Sequence, residues 1–332
     1  MLKELLALPN AEAVLSTAAD DLRRYGYSIR RADGDFFMFA VPPGDNGDKY
    51  LLVAHADTVR DQYQLCTKKK KKSKKVTAAR DIKFNGIYYY TDDNQPLGGD
   101  DRAGVYIILR LIEKGLRPPV LITNYEEIGG LGVREFCTSE YIERVKDLYF
   151  FVEFDRRGIN QYVTYTPAPR QLEDFVEEYG FVKEHGSYSD VKTLSEYTNI
   201  AHVNLSAGYI NEHTDRERVY IDWVEYIIAQ SYKMLSSYRR FIPYKQETET
   251  YTYTYGKYWY GNGYADYADY TDYTDFAMSD DDICDIALSL IDYYGSNLKD
   301  EEIKEILKSD YGIYEVRNIK EIMAIYKSFI GR

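Results

Sequence analysis

Apolar residues recur at helical spacing over residues 11–25, where Ala13, Val14, Ala18 and Leu22 face away from the charges, so an amphipathic helix is expected there. Residues 35–41 and 50–54 predict strands. The second is an almost continuous apolar run, Leu51-Leu52-Val53-Ala54, of the kind that suits a central strand covered on both faces. Residues 82–90 predict a further strand or hairpin, broken at Asn85-Gly86. A strong helix is expected over residues 103–114, ended by Gly115 and the Pro118-Pro119 stop. There follow a strand at 120–124, a helix near 131–136, a strand at 148–154, a helix at 189–196, a strand at 200–205 and a long amphipathic helix at 221–238. This alternation predicts an α/β chain, a three-layer α/β/α sandwich around a mixed, mostly parallel sheet. In open sheets of that kind, ligands gather beyond the carboxyl ends of the strands.

The pattern breaks after about residue 241. Residues 251–273 hold nine tyrosines, and Tyr264-Ala265-Asp266 opens four successive Tyr-Ala/Thr-Asp triplets. A period of three matches neither a helix nor a strand face, and no aliphatic residue interrupts it, so residues 241–279 read as a low-complexity linker. Its tyrosines also suit self-association or partner binding. Helical spacing returns through Ile283, Ile286, Leu290 and Ile291, then Ile303, Ile306 and Leu307, then Ile319, Ile322, Met323, Tyr326 and Phe329. Residues 280–332 are therefore expected to form a small helical module, near the lower size limit for folding alone. Residues 1–240 are left as the main domain.

Composition narrows the function. The net charge of −12 argues against a general nucleic-acid binder. Lys68–Lys75, seven lysines in eight residues, runs the other way as a solvated loop, or as one placed to attract acidic substrates. No run of 18 apolar residues exists, so no membrane span is expected. Glu4 interrupts the short apolar start, which speaks against a secretory signal. Cys66, Cys137 and Cys284 are scattered and odd in number, which fits a reducing compartment, the cytoplasm by default.

Against this background one ordered set of residues carries chemistry. In His55-Ala56-Asp57 the two polar residues point to the same side of an extended chain, so His55 can bind a metal while Asp57 orients it. Asp100 lies in the Gly-rich turn opening the helix at 103, where a carboxylate can bridge two cations. Glu126-Glu127 follows an apolar strand, so that one glutamate can ligate and the other serve as general base. Asp155 repeats that position after Phe150-Phe151-Val152-Glu153-Phe154, and His213 sits in the loop before the last long helix, with Tyr209 and Asn211 nearby as hydrogen-bond donors. Imidazoles and carboxylates converging at strand ends are what a pair of divalent cations requires.

The segments Ala54-His55-Ala56-Asp57-Thr58-Val59, Gly99-Asp100-Asp101-Arg102-Ala103-Gly104, Asn124-Tyr125-Glu126-Glu127-Ile128-Gly129, Gly186-Ser187-Tyr188-Ser189-Asp190 and Asn204-Leu205-Ser206-Ala207-Gly208-Tyr209, running into Glu212-His213-Thr214, resemble the di-zinc exopeptidase clan. That clan includes bacterial leucyl aminopeptidases, peptidase T and the glutamate carboxypeptidases. The match covers residues 1–240, with the motifs in family order. The resemblance implies the zinc-exopeptidase-like phosphorylase/hydrolase fold and two divalent ions, zinc or alternatively cobalt or manganese. One would be held by His55, Asp100 and Asp155, the other by Asp100, Glu127 and His213. It further implies Glu126 as general base, Asp57 as support for His55, and a cis peptide between Asp100 and Asp101.

The chain departs from the family in size. Residues 156–212 are too few for the lid domain that some members insert between the ligands matching Asp155 and His213, so a lidless core is expected. Arg102, Arg156 and Arg157 flank ligands and are candidates for binding a substrate carboxylate, together with Tyr209 and Asn211 for other polar contacts. The expected activity is metal-dependent hydrolysis of peptide bonds, aminopeptidase-like, on short peptides. The alternatives are deacylation of acylated amino acids, or a non-catalytic assembly protein that uses the tyrosine-rich tail.

Overall fold

The computed structural model describes residues 1–44, 48–61, 79–165, 168–186, 188–238, 299–309, 319, 320, 322–324 and 327. The lysine run, Cys66, Cys284, the tyrosine tract and most of the expected terminal helices lie outside these residues. The chain divides into two compact units, Met1–Thr248 and Glu249–Arg332.

The first unit opens with α1 (Leu2–Ala7) and α2 (Ala11–Arg24), the latter capped by Asn10, whose side chain accepts the Ala13 N–H at 3.0 Å. The strands β1 (Ser28–Arg31), β2 (Phe37–Val41) and β3 (Tyr50–His55) follow. After them come β4 (Lys83–Phe84), β5 (Tyr88–Tyr90), α3 (Gly99–Glu113), β6 (Val120–Thr123), α4 (Leu131–Thr138) and β7 (Phe150–Arg156). The unit ends through β8 (Gln161–Val163), α5 (Arg170–Glu178), β9 (Val182–Lys183), α6 (Asp190–Thr198), β10 (His202–Ser206), β11 (Tyr209–Ile210), β12 (Arg218–Tyr220) and α7 (Ile221–Ser236).

Eight strands make the main sheet in the order β1-β2-β6-β3-β7-β10-β8-β9. Its centre, β6-β3-β7-β10, is parallel, while β1, β2 and the β10–β8 pairing are antiparallel. Alternate residues of the central strands enter two separate cores. Leu52, Ala54, Phe150 and Val152 pack with α1, α2, α3 and α7, whereas Leu51, Val53, Leu121 and Phe151 pack with Val133 and Phe136 of α4 and Val191 and Leu194 of α6. The near-continuous apolar strands thus have helices on both faces, and the α/β/α expectation holds. A second, four-stranded sheet, β11-β12-β5-β4, contains the hairpin expected around Asn85-Gly86.

Some boundaries differ from the sequence reading for local reasons. The strand expected from residue 35 begins at Phe37, because Asp33–Asp35 forms a tight turn with Gly34 at φ 74° and Asp35 at φ 59°. The strand expected at 148–154 runs on to Arg156, so Asp155 lies within it. Residues 156–212 supply β8, β9 and β10 to the main sheet, together with α5 and α6, rather than a separate domain. Among the described residues no helix is long and apolar enough to cross a membrane. In the second unit, α8 (Asp300–Ser309) buries Ile303 and Leu307, and Ile319, Ile322 and Met323 are buried as well. Lys327 reaches Asp300 at 2.7 Å.

Helix α3 approaches the sheet closely at Gly104, where an added Cβ would collide with the Phe154 carbonyl oxygen and both oxygens of Asp101. Alanine is the better helix former by about 1 kcal/mol. Overpacking against a fixed backbone carbonyl outweighs that gain, costing about 1–3 kcal/mol. Gly104→Ala is therefore expected to lower the thermal midpoint measured by calorimetry; an unchanged or raised midpoint would contradict the packing described.

Candidate metal centre

The carboxyl ends of β3, β6 and β7 deliver His55, Glu126-Glu127 and Asp155 to one edge of the sheet. Asp100 arrives from the turn that opens α3, and His213 from the loop between β11 and β12. Asp100 occupies the centre: its Oδ1 is 3.1 Å from His55 Nε2 and its Oδ2 3.1 Å from His213 Nε2. Asp155 Oδ1 lies 3.5 Å from His55 Nε2, and Glu127 Oε2 3.1 Å from His213 Nε2. Glu126 Oε2 stands 3.9 Å from His55 Nε2. Two donor triads result, His55–Asp100–Asp155 and Asp100–Glu127–His213, each with ligand atoms within 4.8 Å of one another. They share one carboxylate.

Neighbouring groups hold these side chains in place. His55 Nδ1 donates to the Asp57 carbonyl oxygen at 3.1 Å, which fixes the ring with Nε2 turned toward Asp100. The Asp57 carboxylate lies 3.5 Å from His55 Nδ1, and it also accepts the Glu126 and Glu127 N–H groups at 3.2 and 3.3 Å. Asp57 therefore steadies the glutamate pair as well as the histidine. The peptide between Asp100 and Asp101 is cis. The Asp101 carboxylate accepts the His55 N–H at 3.2 Å and the Gly104 N–H at 3.0 Å. Asn204 accepts the Asp155 N–H at 2.9 Å and donates to its carbonyl at 3.2 Å, and the Tyr209 hydroxyl donates to Asp155 Oδ1 at 3.1 Å. Tyr125 at φ 66° and His213 at φ 64° adopt the left-handed backbone beside the ligands, a conformation uncommon for such residues.

The site has a surplus of negative charge. Burial, followed by the charge of Asp100, pushes the Glu127 carboxyl up to about 8 and that of Asp155 up to about 7. Burial also lifts Glu126 well above its ordinary value, against the attraction of His55. Burial alone would lower both histidines; hydrogen bonds donated to Asp100 and Asp155 raise His55 well above its usual range, and those donated to Asp100 and Glu127 raise His213 to about 12. Behind the ligands, Asp101, Glu153 and Asp190 are fully buried acids whose proton affinities burial also increases. Crowded carboxylates of this kind favour protons or cations. Imidazole and carboxylate donors in two triads sharing an oxygen-bearing ligand fit a pair of divalent cations.

The substrate-facing candidates fare differently. Arg102 does not face the site: its side chain is wholly enclosed and donates to the carbonyl oxygens of Leu5, Leu6 and Leu8, anchoring α1 beneath α3, with Asp61 3.7 Å away. Placing a substrate carboxylate on Arg102 was an error, made because sequence alone cannot tell a flanking arginine from an inward one. Arg156 donates to the His185 carbonyl at 3.0 Å, Arg157 pairs with Glu212 at 2.9 Å, and Asn211 Nδ2 points to the Arg216 carbonyl at 3.4 Å. Tyr209 is buried against Asp155. Glu217, Asn204 and Glu153 have no role assigned by the sequence: Asn204 lies in a quoted segment and Glu153 in an apolar run, but only the fold shows what they hold.

Among solved structures, the chain is similar to the aminopeptidase PepT from Bacillus cereus ATCC 10987, with a TM-score of 0.53 and 12% identity over 70% of this chain and 96% of that one. It is also similar to a tripeptidase from Staphylococcus aureus subsp. aureus Mu50, with a TM-score of 0.54 and 14% identity over 72% of this chain and 97% of that one. An aminopeptidase from the archaeon Desulfurococcus kamchatkensis gives 0.50 and 11%, over 70% and 93%. At these identities the likeness is one of fold, an α/β fold with a mixed, mostly parallel central sheet shared with these peptidases. No protein-family model matches the sequence, and no curated protein does.

The charge surplus has a pH signature. In protein stripped of divalent cations, Glu127 and Asp155 fold preferentially protonated, so their contribution is full below an unfolded pKa of about 4 and is lost as pH rises through about 7 to 8. Cation binding runs the other way, because ligands bind deprotonated. The gap in melting temperature between loaded and chelated protein is therefore expected to widen from pH 5.5 to pH 8.5. A gap that stays constant or narrows would contradict the electrostatics.

Proposed function

We propose that the chain is a two-metal exopeptidase, acting most simply as an aminopeptidase on short peptides. The observation that carries this reading is the single Asp100 carboxylate placed between two histidine-bearing triads, with Glu126 beside them and in no triad. His55, Asp100 and Asp155 would hold one cation and Asp100, Glu127 and His213 the other. Zinc suits such donors best, with cobalt or manganese as substitutes. When bound, the pair supplies Lewis acidity that lowers the pKa of water and polarises a scissile carbonyl.

The chain's own residues do the rest. Glu126 is poised as general base: its carboxylate reaches the edge of the donor cluster while the Asp57 carboxylate accepts its backbone N–H. Burial raises its proton affinity, which suits a group that takes a proton from water and returns it to a leaving amine. Asp57 fixes the histidine through its carbonyl oxygen, and Tyr209 orients Asp155. With Arg102 enclosed, the acidic character of the site favours a substrate presenting a free amino group. Recognition of carboxyl-terminal or acylated substrates would fall to Arg156 or Asn211.

The test pairs metal analysis of the purified chain with a screen of peptide and N-acyl amino-acid hydrolysis. Wild type is expected to hold two divalent ions and release amino-terminal residues. Glu126→Gln should keep both ions and lose activity by about 10²–10⁴-fold. Full activity in that variant would refute the base assignment. Two bound ions without hydrolysis of any substrate would favour an assembly role.

A further inference from the structure

One buried carboxylate outside both triads makes contacts that link the two halves of the second triad. Glu217 is 1% exposed, and each of its oxygens accepts one main-chain N–H from the turn that presents Asp100. Oε2 takes that of Gly98 at 2.8 Å and Oε1 that of Asp100 itself at 2.9 Å. At its other end Glu217 belongs to the loop that carries His213, and its own N–H donates to the Thr214 carbonyl at 3.1 Å. The turn has no slack at this point. Gly98 sits at φ 81°, and a Cβ on Gly99 would meet Val219 Cγ2 at 2.5 Å, Glu217 Oε1 at 3.0 Å and Tyr209 Cβ at 3.3 Å.

Asp100 and His213 therefore meet through two routes, the direct approach of His213 Nε2 to Asp100 Oδ2 and the two hydrogen bonds accepted by Glu217 behind it. The other triad has supports of its own. His55 hangs on Asp101 and the Asp57 carbonyl, and Asp155 on Asn204 and Tyr209. Nothing in that second set of contacts passes through Glu217. Because Asp100 belongs to both triads, losing Glu217 touches both through that shared ligand, but only the second triad also loses its hold on the His213 loop, so the loss falls more heavily there.

We infer that Glu217 is a positioning residue, a latch that holds the His213 loop against the Asp100 turn and so sets the geometry of the Asp100–Glu127–His213 triad. The inference rests on the two-metal reading above. A carboxylate that accepts two main-chain N–H groups fixes their direction, and with it the direction in which the Asp100 carboxylate leaves the turn. Groups that orient a ligand in this way typically change metal affinity by about 10–100-fold when replaced.

The test is cobalt titration of the full chain, followed by calorimetry and by the visible absorption of bound cobalt. Wild type should take up two ions. Glu217→Gln keeps the side-chain shape but turns one acceptor into a donor facing an N–H. It should weaken binding of the ion of the Asp100–Glu127–His213 triad at least about tenfold more than that of the other, with the larger change in absorption on that ion. Leu111→Ala, a truncation of a buried residue in α3, serves as the stability control and should bind both ions normally. Unchanged binding in Glu217→Gln overturns the latch, as does equal weakening of both ions or the same loss in Leu111→Ala at matched destabilisation. A wild-type chain that fails to bind two ions refutes the two-metal reading instead, so the two failures are distinguishable.

Discussion

The sharing of Asp100 between His55 and His213 is the contact around which the first unit is arranged. A carboxylate with an imidazole on each oxygen can be satisfied only if three chain segments meet within hydrogen-bond distance: the end of β3, the turn opening α3 and the β11–β12 loop. The parallel centre of the sheet supplies the first of these. The small sheet supplies the last, and Gly98 and Gly99 let the turn lie flush against it. The close approach at Gly104 belongs to the same requirement, since it is where Asp101 and the Phe154 carbonyl meet the first turn of the helix.

The acids at this edge of the sheet oppose folding when taken alone. Ionised carboxylates removed from water cost several kcal/mol each unless paired, and here Asp101, Glu153, Asp190 and Glu217 are enclosed in addition to the ligands. The structure offsets part of that cost with directed donors. Thr123 donates to Asp190, Ser189 to Glu153, and main-chain N–H groups to Asp57, Asp101 and Glu217. Among the described residues, one oxygen each of Glu153 and Asp190 has no donor. Positive charge held by the triads would counter what the donors leave uncompensated.

Much of this was readable in the residues and some of it could not have been. The runs Leu51–Ala54 and Val120–Thr123 announced buried central strands because both faces are covered. His55, Asp100, Glu126, Glu127, Asp155 and His213 stood out because they follow such runs or lie in glycine turns, and the fold brings all six within one small region. By contrast β1, with the sequence Ser-Ile-Arg-Arg, is a half-exposed edge whose pairing comes from its partner rather than from its own pattern. Arg102 looked like its neighbours on the surface, since inward orientation depends on where α1 docks. Glu217 sits among Asp215, Arg216 and Arg218 in a stretch that reads as solvated, and only the packing of β12 against the glycine turn turns it inward.

The two histidines differ in one respect that governs traffic at the centre. The side chain of His55 is 1% exposed and that of His213 is 42% exposed, although both touch the same aspartate. A ligand sealed on every side exchanges its partner only when the surrounding structure opens, whereas one with an open flank can do so by a local loop movement. Solvent thus borders the cluster on the His213 side, whereas His55 is reached only through the groups around it.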